Sequence, residues 1–209
     1  MCAFAGFAFG IVKFFGPKKA VYAQMITLAV GCMAFGRLYQ VVRILTGGGV
    51  SEEFQLGVLG VMGSLLFLFS ANFGLMDSLA DDGSKEYVKY RVIPVAAPLA
   101  AVAVYVAAFL FADVPLFVKI VAGILTVFVS GASYFNLKHL IFPDVDFGVI
   151  NCLKTYNLLA LVFEALCVAE MLSNKSGSDV FVLIIGALSG VVLLAVTPAV
   201  ERGMKKWTT

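Results

Sequence analysis

The sequence predicts an all-α integral membrane protein, a single polytopic domain over residues 1–209 with about seven transmembrane helices. Three observations carry this. Hydrophobic residues make up 61% of the chain and charged residues 13%, with a mean hydropathy of +1.00. A soluble domain holds about 25% charged residues, and so few charges cannot cover the apolar surface of a chain this size in water. The apolar residues also fall into runs of about 20, enough to cross a bilayer core as a helix. Finally, the runs are continuous. A membrane barrel would show segments of about 10 residues with alternating polarity, whereas a helix satisfies its backbone within one segment.

The first run, residues 1–15, is apolar from Met1 onward. It lacks a basic leader and a small-residue cleavage site, so it reads as a short first helix (TM1) and not a removed signal. Gly6 and Gly10 form a small-residue face suited to close helix contact. Gly16-Pro17-Lys18-Lys19 makes a turn. TM2 covers 20–45 and ends at the Gly47–Gly49 triplet, and TM3 covers 54–79. A charged loop follows at 80–91, containing Asp81, Asp82, Lys85, Glu86, Lys89 and Arg91. TM4 covers 92–111 and opens on Pro94 and Pro98, which can kink it. Its Ala- and Val-rich sequence is expected to pack against other helices. TM5 covers 116–141 and is ended by Pro143, TM6 covers 147–172, a polar loop occupies 173–179, and TM7 covers 180–200. A basic tail with Trp207 as an interfacial anchor completes the chain.

Lys and Arg set the orientation. One side carries Lys13, Lys18, Lys19, Lys85, Lys89, Arg91, Lys138, Lys154, Arg202, Lys205 and Lys206; the other carries Arg43, Lys119 and Lys175. The richer side is expected in the cytoplasm of a cell-membrane protein, with the N-terminus outside and the C-terminus inside. The net charge of +2 does not suggest nucleic acid as a partner. Cys2, Cys32, Cys152 and Cys167 sit in apolar surroundings without a C-x-x-C pair and read as buried free thiols. No metal or cofactor motif is present.

TM2–TM3 and TM5–TM6 share a weak repeat. Gly36, Tyr39, Arg43 and Leu45 align with Gly131, Tyr134, Lys138 and Leu140 at an offset of 95. After a two-residue change in loop length, Phe54 meets Phe147, Ser64 meets Asn157, Ala71 meets Glu164 and Asp77 meets Glu170. The matched helices stand three places apart in the chain, an odd offset that inverts the copies, so TM1–3 and TM4–6 become inverted repeats with TM7 added. Transporters use such repeats for alternating access. This three-plus-three-plus-one layout, with its Gly47–Gly49 triplet, is similar to trimeric intracellular cation channels. Val50-Ser51-Glu52-Glu53 stands where that family has basic residues, so its function is not carried over.

The stretch 134–157 concentrates polar groups between apolar runs: Lys138, His139, Asp144, Asp146, Asn151, Lys154, Tyr156 and Asn157. Within TM6, Glu164 lies about 6 Å past the midplane at 1.5 Å rise per residue. A carboxyl there is expected to be paired, protonated or facing water. Lys154, Asn157 and Glu164 fall on one face and form a candidate translocation stripe. Arg37, Gln40 and Arg43 form a second stripe in TM2, with Arg43 reaching the headgroups. Arg37 needs an acid such as Asp77, Glu164 or Glu170, and Glu170 fits the topology better than Asp77; the planar fork of Arg37 also suits an anionic ligand. Ser64, Ser70 and Asn72 supply hydrogen-bonding groups in TM3.

His139 and Glu164 are the candidate pH-sensitive positions, with His139 expected at the interface on a helix C-terminus. No phosphate loop, nucleophile elbow, zinc helix or catalytic carboxylate pair is present, so an enzyme is not expected. Two functions remain. One is a transporter or channel for a small polar or anionic solute or an ion, through a water-accessible cavity holding Glu164 and Arg37. The other is a membrane sensor or partner subunit with a sealed core, acting through basic cytoplasmic loops. The expected partners are the bilayer and a small solute or ion, with a homo-oligomer or a partner membrane protein permitted by the helix faces.

Overall fold

A computed structural model describes residues 1–16, 19–46, 56–73, 77, 81, 83–111, 115–143, 149–173 and 179–208. The Gly47–Gly49 triplet, the 50–54 run, Pro17, Lys18, Asp82, Asp144, Asp146, Phe147 and the 174–178 loop lie outside the described residues, as does the Trp207 side chain. Among the described residues the chain is all-helical with no strand. The helices are α1 (Cys2–Phe14), α2 (Val21–Leu45), α3 (Leu56–Ala71), α4 (Lys85–Phe111), α5 (Leu116–Ile141), α6 (Val149–Ser173) and α7 (Asp179–Thr208). Five of them, α2 and α4 to α7, are long and apolar enough to cross a membrane; α1 and α3 are shorter apolar helices.

Local chemistry accounts for the helix limits. Phe142, extended at ψ 138°, ends α5 because the residue before Pro143 is disfavoured in a helix. The run α4 begins earlier than the sequence predicts. Lys85–Tyr87 is already a 3-10 turn, so the charged segment is half helical. Pro94 sits in a second 3-10 turn, Ile93–Val95, where the missing N–H is accommodated by tighter winding. The basic tail is helical too, since α7 continues through Pro198 to Thr208.

Neighbour packing closes six helices into a ring in the order α1, α2, α3, α5, α6, α7. Helix α4 stays outside, against α5. Only Ala101 is buried along Ala96–Phe111, while Leu99, Val102, Val106, Leu110 and Phe111 are exposed. This corrects the expectation of a packed fourth helix: in lipid, apolar side chains gain little by leaving the helix surface. Small residues allow the close contacts of the ring. The Gly6 carbonyl accepts a bond from Thr197 Oγ1 at 2.9 Å, joining α1 to α7. Gly36 on α2 meets Gly60 on α3 backbone to backbone; a Cβ on Gly60 would lie 2.6 Å from the Cys32 carbonyl oxygen.

Candidate functional site

Polar side chains occupy the ring at three levels. The central level is sealed: Asn72, Asn136, Tyr156, Asn157 and Glu164 are all 2% exposed or less. Asn136 on α5 is the hub. Its Nδ2 donates to Glu164 Oε1 at 2.6 Å, and its Oδ1 accepts from Asn72 Nδ2 at 2.7 Å. Asn72 also reaches the Tyr156 hydroxyl at 3.4 Å. Asn72 and Phe73 form a wider π-helical turn at the end of α3, a distortion common at functional positions. One bond chain thus joins α3, α5 and α6. Glu164 Oε2, Asn157 Oδ1 and Ser64 Oγ are buried without a hydrogen-bond partner among the described residues, and no cation pairs with Glu164 there. Buried polar atoms in this state are costly and call for an explanation.

The second level lies toward the C-terminal ends of α2 and α6. Arg37 forks onto Glu170, with Nη1 2.6 Å from Oε1 and Nη2 on Oε2. Nη1 also donates to Gln40 Oε1 at 2.9 Å. Of the acids weighed as partners, Glu170 is the one that Arg37 meets. A planar guanidinium matching two carboxylate oxygens makes this a directional pair. Both side chains stay partly exposed, at 24% and 15%.

The third level lies at the opposite end, where α5 finishes. Lys138 Nζ sits 2.6 Å from Asp77 Oδ1 and 2.7 Å from Asp81 Oδ2. Arg91 forks onto Asp81, with Nε 2.7 Å from Oδ2. His139 Nε2 lies 3.3 Å from Asp77 Oδ1. Gly83 turns the chain at φ +81° so that its N–H reaches Asp81 Oδ1, a conformation that favours glycine. The Arg91 guanidinium, foremost, holds the Asp81 carboxyl well below the usual carboxylate range, with Lys138 and the Gly83 N–H assisting against its burial.

His139 lies in the last turn of α5, is 3% exposed and packs beside Phe135. Lys138, in the same turn, is buried between two carboxylates. Lys154 is half-buried, and Glu164 bonds across to Asn136 on α5. The expected water-accessible cavity holding both Glu164 and Arg37 is not formed in this conformation, since Glu164 is sealed. A cavity of about 420 Å³ lies elsewhere, lined by Phe7, Gly31, Phe35, Tyr39, Leu59 and neighbouring apolar groups. Asn136 is the residue that sequence reasoning missed. Its signal was an amide embedded in an apolar helix, a turn before Lys138 and His139.

No three-residue group of metal-ligand type occurs among the described residues. No family model, curated protein or solved structure matches this chain.

Proposed function

We propose that the chain is a small membrane transporter or channel for a polar or anionic solute or an ion, with its path between α2, α3, α5 and α6. In this reading all seven helices cross the bilayer. At 1.5 Å per residue α1 and α3 are about 20–24 Å long, so they rely on bilayer thinning or flanking turns. The N-terminus lies outside and the basic ends inside.

One observation carries the reading: a carboxyl, Glu164, in the centre of the ring with one oxygen unpartnered and the other held by an amide relay to α3. A structural core has little use for an acid there, because apolar residues of the same volume pack at lower cost. An ionisable group facing a bundle interior marks ion and solute pathways. The sealed state corresponds to an occluded conformation. The inverted repeat is part of the proposal. Helices α2–α3 and α5–α6 each pack as neighbouring pairs, although α1 joins the ring while α4 stays outside.

The test is flux into proteoliposomes for a panel of ions and small anions. Movement of at least one solute above protein-free vesicles supports the proposal. No movement of any, with the protein folded, shifts the weight to a second reading, a membrane sensor or partner subunit. That reading draws on the sealed core and on exposed Lys85 and Lys89 near the Asp81–Arg91 ion pair.

A further inference from the structure

The ion pairs at the two ends are related in a way that neither shows alone. Arg37 on α2 pairs with Glu170 on α6. Lys138 on α5 pairs with Asp77, six residues past the end of α3, and also holds Asp81. Exchanging α2 with α5 and α3 with α6 turns one pair into the other. The acids, Asp77 and Glu170, stand at matched positions of the sequence repeat, while the cations sit on matched helices at different turns. Each pair ties the α2–α3 hairpin to the α5–α6 hairpin, at opposite ends of the ring. Between them lies the sealed Asn72–Asn136–Glu164 chain.

We propose that these pairs are two alternating gates, one closing each end of the path through the ring. The two ends are built differently. Helices α3 and α5 pack along their backbones, whereas α2 and α6 come less close and are bridged by the long Arg37 and Glu170 side chains. Such a bridge opens without unpacking a core, and its partly exposed charges are rehydrated when it does. A directional ion pair at a partly exposed site is also nearly balanced between attraction and desolvation, which suits a contact made and broken in each cycle. Shared hairpins couple the ends: tilting one hairpin against the other to part α2 from α6 presses α3 onto α5. The proposal rests on the transport reading for its purpose, but its test needs no solute.

Cys167 reports on the α2–α6 end. It lies one turn before Glu170 and is 3% exposed. In a protein whose other cysteines (Cys2, Cys32 and Cys152) are changed to alanine, the rate of Cys167 labelling by a water-soluble maleimide reads opening there. Glu170→Gln is expected to raise that rate by about threefold or more, and Asp77→Asn, at the far end, to lower it by a similar factor as the population shifts the other way. The exchanged pair, Arg37→Glu with Glu170→Arg, is expected to return it toward wild type. A structural staple predicts otherwise. If Asp77→Asn leaves labelling unchanged or raises it, or if Glu170→Gln does not raise it, the proposal is overturned. Lys138→Gln is the second variant at the far end, and failure of both far-end variants to fold would make that pair a staple and overturn the proposal too. Reciprocal labelling without solute flux would leave the gates standing and remove the transport reading; flux without reciprocity would do the opposite.

Discussion

Asn136 on α5 donates its side-chain amide to Glu164 on α6 at 2.6 Å while accepting from Asn72 on α3 at 2.7 Å. A single residue thereby satisfies two buried partners from two other helices. Replacing it with leucine strands Glu164 Oε1 and leaves Asn72 with only its longer contact to the Tyr156 hydroxyl. Asn136→Leu is expected to destabilise the folded protein by about 1–2 kcal/mol, within the range for buried hydrogen bonds in membrane helices. Reversible unfolding in mixed micelles measures this, and wild-type stability would count against the hub role.

Glu164→Gln separates chemistry from packing. The glutamine carbonyl can still accept from Asn136, so stability is expected to change by less than about 1 kcal/mol. Transport and its pH dependence are expected to change while the fold persists. A variant with unaltered flux and pH profile would assign Glu164 to packing alone.

The Asp81–Arg91 pair gives a pH dependence of definite sign. The folded-state carboxyl lies below its unfolded value, so its stabilisation is fully present above the unfolded value of about 4. It is lost as pH falls through the lower folded value. Asp81→Asn is therefore expected to be less stable than wild type at pH 7, with the gap narrowing below about pH 4. Melting temperatures across pH check this; a gap that widens in acid would contradict it.

The α2–α3 contact offers a steric test. A Cβ on Gly60 would sit 2.7 Å from Gly36 Cα, and neither backbone can yield as a flexible side chain would. Gly60→Ala is expected to cost about 1–3 kcal/mol through forced separation of the helices. Gly186, with open space around its Cβ position, serves as the control, and Gly186→Ala is expected to be near neutral or mildly stabilising.

Much of this architecture was legible in the sequence because apolar run length is a one-dimensional signal. The span read as 116–141 is the helix Leu116–Ile141, and 20–45 falls within a residue of Val21–Leu45. Polar ends were harder: Lys85–Arg91 looks like a loop in composition, yet it is helical, with Arg91 anchored on Asp81, which Lys138 holds in turn. Partners across helices were mostly illegible. Helical periodicity put Lys154, Asn157 and Glu164 on one face, but the carboxyl's partner lies on α5, 28 residues earlier in the chain. Glu170 emerged as the partner of Arg37 because span order fixes depth, and depth narrows the choice. Lateral neighbours, such as the exclusion of α4 from the ring, have no comparable signal when every face is apolar.

The central claim is that the buried polar chain lies on a solute path. Its most direct test is flux into proteoliposomes for the solute panel, wild type beside Glu164→Gln and Arg37→Gln, each checked for wild-type folding. Flux in wild type that is lost or changed in pH dependence in either variant is the expected result. Equal flux in all three, or none in any, would contradict a path through Glu164 and Arg37.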